Sequence, residues 1–359
     1  MFNKDNLIKH AKKAEIPDSF IKVICDYLEV ADIDKLKECY DLLFNAVEPI
    51  FPIIKVEKLL SEYSDKNNPG LFETVLFLVA ADAFEKFLIK NNLDSNENNF
   101  LDSYYKNVRR FMQMNYVRDN TYALIRHGYF LYGYARPFIL RIGRFSFELR
   151  QFYNSRFDIY ENEQQRLFIG GKGLKINEKG YFDDNGKPAL YKIDGGNLIC
   201  NKFLPDGRLD DKPFTLDLNK WNKVFCDGDY YLTVHIPGDG KLDKDSIESS
   251  FELAIPMLKK VFSKYSPKHI LCSSWLISPQ LKPHLKESSN ILLFQSYFDS
   301  VCTDVDTNAI FEHIFKCPVC PVENLKAINS LQFAVLDLYK SGVGLRYGTG
   351  ILKKEFNNL

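Results

Sequence analysis

The chain has no net charge: its 47 Lys and Arg residues are matched by 47 Asp and Glu. No long-range field would draw it to nucleic acid or to an anionic membrane. It also lacks a long apolar run. The most apolar stretch, residues 71–81, is about half of a membrane span. Asp82, Glu85 and Lys86 follow it at once, so a buried helix is expected there. The opening Met1-Phe2-Asn3-Lys4-Asp5 has no apolar core of signal-peptide length. Internal repeats and low-complexity segments are absent too. These gaps leave a soluble globular protein with neither nucleic acid nor a membrane as partner.

What is present is ordinary in amount. Hydrophobic residues make up 45% of the chain and charged residues 26%, which suits a globular protein. With 359 residues, two domains are expected, each long enough to bury a core without covalent staples. Eight cysteines are spread along the chain, mostly in apolar runs. They read as free thiols in a reducing compartment, the cytoplasm. The abundance of Lys and Asn suggests a bacterial source with an AT-rich genome.

The first 120 residues carry helical periodicity. Pro17-Asp18-Ser19 starts one amphipathic run, and Leu36, Cys39, Leu42 and Leu43 mark a second. Pro52 opens a third, and Pro69-Gly70 precedes a long apolar helix. The polar residues 91–99 read as a loop, and residues 100–114 as another helix. The pattern then changes. Leu140, Ile142, Phe145, Phe147 and Leu149 alternate with polar residues, which predicts one strand with a bulge at Gly143. Turn pairs at Gly170-Gly171, Asn185-Gly186, Gly195-Gly196 and Asp206-Gly207 predict hairpins. From residue 223 the pattern becomes strand (230–237), tight loop, helix (246–265), strand (269–277), short helix (279–285) and strand (290–297). A helix over 324–340 and a strand over 343–353 complete it. The fold class is α+β, with a helical domain at 1–120 and a mixed-sheet domain at 121–359.

Several segments carry a family likeness. They are Tyr231-Leu-Thr-Val-His-Ile-Pro237, Leu271-Cys-Ser-Ser-Trp-Leu276, Pro279-Gln-Leu281, Ser289-Asn-Ile-Leu-Leu-Phe294 and Ser330-Leu-Gln332, with Leu140-Arg-Ile-Gly-Arg-Phe-Ser-Phe-Glu148 as an opening strand. Together they resemble the GNAT-like C-terminal domain of a bacterial acyltransferase family. The helical first part resembles the N-terminal domain that accompanies it. The resemblance covers nearly the whole chain. It implies acetyl-CoA or another acyl-CoA as co-substrate and a small-molecule amine as acceptor.

On that reading, the thioester lies between strands 230–237 and 269–277. The loop Gly238, Asp239, Gly240, Lys241 and Leu242 would receive the pyrophosphate at a helix N-terminus. Asp239, Asp243 and Asp245 oppose that role, and the usual glycine-rich signature is missing. An ordinary strand-to-helix turn capped by Asp243 or Asp245 competes with it. The Asp spacing does not fit a calcium loop. Pro237 has no N–H, so Ile236 or Gly238 would polarise the acyl carbonyl.

His235 ends the central strand, where an imidazole suits proton transfer near neutrality. A histidine that merely holds the strand end is the competing reading. Ser273 and Ser274 would bind the pantetheine arm or protonate the leaving thiolate, and Trp275 would wall the pocket. A packed strand end explains the same residues. Tyr297 is placed to act as general acid, although 20 tyrosines make chance placement easy. Glu148 would accept the amine proton or pair with Arg144 and Arg150 on the surface. Cys272 would be a nucleophile only beside a base.

Cys317-Pro-Val-Cys320 is the only Cys-x-x-Cys. Zinc would need two more ligands, with His313 and Cys302 the nearest offers, so no metal is expected. His10, His127, His269 and His284 have no partner at metal spacing. Two functions follow: an acyl-CoA-dependent N-acyltransferase working by direct attack, or a non-catalytic binding protein on the same fold.

Overall fold

The computed structural model describes residues 1–45, 53–93, 100–125, 127–153, 156–305 and 310–353. The expected helix start at Pro52 and most of the expected loop at 91–99 lie outside them. The chain forms two compact units, Met1–Glu148 and Leu149–Leu359. Among the described residues no helix is long and apolar enough to cross a membrane.

The first unit is helical: α1 (Lys4–Lys13), α2 (Asp18–Val30), α3 (Ile33–Tyr40), α4 (Ile53–Tyr63), α5 (Leu71–Lys90), α6 (Phe100–Asp119) and α7 (Gly128–Ala135). Caps set the starts. The Asn3 side chain accepts from Asn6 N–H at 2.9 Å, and Asp32 accepts from Lys35 N–H at 3.0 Å. Helix α5 is buried almost all round, from Phe72 through Ala81, and forms the centre of this unit. Tyr104 on α6 donates to the Phe77 carbonyl.

His10 is wholly buried in this unit. Spacing along the chain offers it no partner, but folding brings Asp82 and Tyr105 to it. Its Nε2 lies 3.0 Å from Asp82 Oδ1 and its Nδ1 2.7 Å from the Tyr105 hydroxyl. Burial pushes its pKa below the ordinary value, against the pull of Asp82. The folded state therefore favours the neutral ring, while the unfolded chain binds the proton more readily. The stability contributed this way is fully present above about pH 6.5 and erodes as pH falls below it. Denaturant titrations between pH 7 and pH 5 should show a shallower pH slope for His10→Gln than for the natural chain. Equal slopes would mean that folding leaves the His10 pKa unshifted.

The unit ends in a hairpin. β1 (Ile139–Ile142) pairs antiparallel with β2 (Phe145–Gln151), and Ile142 faces Phe145. The single bulged strand predicted here is thus two strands. Gly143 has φ +57, so the chain reverses in two residues instead of bulging.

The second unit starts with short strands: β3 (Phe157–Glu161), β4 (Arg166–Gly170), β5 (Lys175–Ile176), β6 (Lys187–Pro188), β7 (Tyr191–Asp194), β8 (Asn197–Cys200), β9 (Phe214–Asp217) and β10 (Asn222–Lys223). They form three small sheets, β10-β3-β4, β5-β6 and β7-β8-β9. Hairpins occur at Asn185-Gly186, between β5 and β6, and at Gly195-Gly196, as predicted, whereas Gly170-Gly171 ends β4, which pairs with β3 and not with β5. Gly195 and Gly196, between β7 and β8, both have positive φ, as a type I′ turn requires.

Then come β11 (Tyr230–His235), α8 (Lys244–Val261), β12 (Ile270–Ser274), α9 (Asn290–Ser296), β13 (Phe298–Val305), α10 (Ser330–Lys340) and β14 (Arg346–Leu352). Within this unit the principal sheet runs β11-β12-β14-β13. β11 and β12 are parallel, with α8 as the crossover, and the other pairs are antiparallel. Helices and a mixed sheet make the chain α+β. The strand predicted over 290–297 is a helix instead. Ser289 caps it by accepting from Ile291 N–H at 3.2 Å, and the strand follows at β13. A short apolar run such as Ile291-Leu-Leu-Phe294 fits either state by pattern alone.

Candidate active site

The site is built where the β11–β12 ladder ends. Their parallel ladder pairs Leu232 with Ile270, Thr233 with Leu271 and Val234 with Cys272, and ends there. Beyond it β12 stays paired with β14, Ser273 opposite Thr349 and Ser274 opposite Gly348. His235 follows Val234, the last residue of β11 in that ladder, as Ser273 follows Cys272 on β12.

Strand alternation decides which residues share a face. Thr233 lies opposite Leu271, so Tyr231, Thr233 and His235 face the same side as Leu271 and Ser273. Ile351 and Thr349 join them from β14, and Val301 from β13. Tyr231, Leu271, Val301 and Ile351 pack in one apolar cluster with Phe157, Phe168 and Phe225. This face is thus apolar at one end and carries His235, Ser273 and Thr349 at the other. Val234 and Cys272 alternate to the opposite face, where both are buried.

A cavity of about 220 Å³ begins at Ser273. Thr303, Tyr347 and Thr349 line it from the sheet, with Arg156, Phe157, Phe182 and Asp304 around them. Its hydroxyls are linked: Ser273 Oγ lies 2.9 Å from Thr349 Oγ1, which lies 3.4 Å from Thr303 Oγ1. Arg156 Nη1 pairs with Asp304 Oδ1 at 2.5 Å. Sequence reading missed Thr303, Thr349, Arg156 and Asp304. Strand register brings Thr349 to Ser273 and Val301 to Thr349, and Arg156 reaches the cavity from the residue before β3.

The loop after β11 is open. Gly238, Asp239, Gly240 and Lys241 are exposed, while Ile236 and Leu242 are half-buried. A Cβ built on Gly238 would meet nothing within 4 Å. Asp243 is the cap of α8, its side chain accepting from Ser246 N–H at 2.9 Å. That bond, with the Ser246 hydroxyl and then nearby Lys241, holds the Asp243 carboxyl below its ordinary pKa. A carboxylate thus occupies part of the donor set that a phosphate would use.

Ser274 caps a short 3-10 turn, Trp275–Ile277, accepting from Leu276 N–H at 3.2 Å. Trp275 is half-buried against the cluster of Leu281, Ile310 and Phe311. Tyr297 follows α9 and is nearly buried. Its hydroxyl donates to Glu248 Oε1 on α8 at 2.9 Å. Burial, then Glu248, pushes the phenol up to about 12, so it stays protonated near neutrality. Glu248 was not legible as its partner, being 49 residues away in sequence. Cys272 is fully buried, and burial raises its thiol well above the ordinary range. It has no nucleophilic character there. Glu148 closes the first unit, buried, accepting from the Tyr129 hydroxyl at 2.8 Å.

This arrangement is a mixed sheet with one parallel pair, a loop and a crossover helix. The family profile of the GNAT-like C-terminal domain matches residues 139–352, and the chain belongs to that family. A helical region precedes the matched segment. No curated protein sequence matches the chain. Among solved structures it is similar to an acyltransferase in complex with decanoyl-CoA, at 16% identity and a TM-score of 0.56, over 95% of this chain and 85% of that one. It is similar to an acyltransferase mutant in complex with octanoyl-CoA, at 15% identity and a TM-score of 0.57, over 97% and 88%. An acyltransferase in complex with decanoyl-CoA and teicoplanin matches at 16% identity and a TM-score of 0.55, over 96% and 86%. At these identities the likeness is one of fold.

Proposed function

We infer that the protein is an acyl-CoA-dependent N-acyltransferase that works by direct attack of an amine on the thioester. The observation that carries this reading is the end of the β11–β12 ladder at Val234 and Cys272, with His235 and Ser273 next in line on one face. The fold shared with acyltransferases that bind decanoyl-CoA and octanoyl-CoA supports a CoA thioester as co-substrate. The arm would run past the end of the β11–β12 ladder beside Ser274 and Trp275. The N–H of Ile236 or Gly238 would polarise the carbonyl. The loop Gly238, Asp239, Gly240, Lys241 and Leu242 would flank the pyrophosphate. His235 would take the amine proton, and Ser273 or the neutral Tyr297 would return one to the leaving thiolate.

Binding is the first test. Acetyl-, octanoyl- and decanoyl-CoA should be titrated while the melting temperature is followed. A ligand at a hundred times its Kd should stabilise the chain by about 2.7 kcal/mol. No shift with any of the three would end the proposal. A Cβ at Gly238 meets nothing within 4 Å, so Gly238→Trp starts its side chain in open space beside the loop. It should abolish the shift and leave the unliganded melting temperature within a few degrees.

Asp243 favours a second reading, a non-catalytic binder. A capping carboxylate beside the loop repels a pyrophosphate. Acyl-CoA binding without acyl transfer to any of a panel of amines would select it.

A further inference from the structure

Cys317 and Cys320 differ in setting from the other cysteines. Cys25, Cys39, Cys200, Cys272 and Cys302 are buried, and Cys226 is exposed. Cys317 and Cys320 are half-buried, and Val319 between them is 78% exposed, so the turn is open to solvent. The geometry brings the pair together. A π-helical turn, Ile310–Phe315, is followed by Lys316 with φ +53, where the chain reverses. Cys317 N–H then donates back to the Phe311 carbonyl at 3.0 Å. The two side chains are close enough to interact electrostatically. Among the described residues no group of three or more metal-binding side chains forms, so the pair has no third donor there. Both cysteines also pack against the apolar cluster of Leu281, Phe311 and Val335, which Trp275 joins from the end of β12.

We propose that Cys317 and Cys320 are a reversible disulfide site, and that closing the bond changes the packing of Trp275. The oxidant is a low-molecular-weight disulfide such as oxidised glutathione. One protein thiolate attacks a sulfur of that disulfide, forms a mixed disulfide and expels a thiolate. The second protein thiolate attacks the protein sulfur of the mixed disulfide and expels the other. The two protein thiols lose two protons and two electrons, and the small disulfide is reduced to two thiols. Burial, then Cys320 itself, holds the Cys317 thiol above its ordinary range. Such a thiol exchanges slowly, which suits a switch set by the redox poise and not an exchange catalyst.

The full chain should be equilibrated in glutathione buffers of rising oxidation, alkylated and digested. The peptide holding both cysteines should become lighter by two hydrogens and lose both alkylation sites in one transition. Cys320→Ser should leave Cys317 as a mixed disulfide with glutathione. Two thiols that stay alkylatable in oxidised glutathione, or a bond to another cysteine, would overturn the site. In a Trp221→Phe background Trp275 is the sole tryptophan. Its emission should shift as the bond closes, and unchanged emission with the bond formed would overturn the coupling. None of these readouts requires acyl-CoA, so they stand apart from the acyltransferase reading.

Discussion

Replacing His235 by alanine is expected to lower turnover by roughly two to four orders of magnitude, the usual worth of a positioned general base. That is about 2.7–5.5 kcal/mol of transition-state stabilisation. The amine nitrogen gains positive charge as it bonds to the acyl carbon, so the proton acceptor is needed only after attack begins. Such a group contributes little to ground-state binding. The KM for acyl-CoA and the melting shift it causes should change no more than a few-fold. His235→Gln keeps a hydrogen-bonding side chain but cannot take the proton, and should be nearly as slow as alanine. If glutamine restored most of the rate, His235 would be a strand-end anchor and not a base. Initial rates over pH 6–9 separate these outcomes.

Gly207→Ala should cost the fold about 2–4 kcal/mol. Gly207 has φ +83, which strains any residue with a Cβ. The added carbon would lie 2.6 Å from Cys302 Sγ and 2.8 Å from Cys302 N. Cys302 is buried on β13, and its N–H donates to the Gly207 carbonyl at 3.0 Å. The backbone contact therefore cannot relax without breaking that bond. For a unit of this size the melting temperature should fall by about 10 °C. Cys302→Ala in the same chain removes the sulfur clash but not the backbone clash, and should recover only part of the loss. A fall of less than about 2 °C for the single variant would mean that the turn at Asp206-Gly207 gives way freely.

Much of the architecture was legible because it rests on local patterns. The apolar run after Pro69-Gly70 gave helix α5, and Asn185-Gly186 and Gly195-Gly196 gave their hairpins. Strand, loop and helix from Tyr230 to α8 also stand where the pattern places them. Other elements were not legible, for physical reasons. Ile291-Leu-Leu-Phe294 is apolar enough for a strand or a helix, and only its Ser289 cap decides. Gly143 fits a bulge or a turn until Ile142 meets Phe145. The site residues divide in the same way. His235 is marked by its place at a strand end. Thr349 is not marked at all, since it reaches Ser273 from 76 residues away through antiparallel register. His10, Asp82 and Tyr105 meet only when three helices pack.

The cavity at Ser273 has walls of two kinds. Its hydroxyl floor comes from β12, β13 and β14, strands paired over long sequence distances. Its aromatic side comes from Phe157 in the β3-β4 hairpin and Phe182 between β5 and β6. Short hairpins can open at a fraction of the global unfolding free energy. Phe157 is held in the cluster with Leu271, Val301 and Ile351, so the side that can move while the floor stays formed is Phe182. Amide exchange should show this as fast-exchanging hairpin protons beside protected β12 and β14 protons. Entry to the cavity would then be timed by the breathing of a few local turns, with the sheet as the fixed wall against which they open.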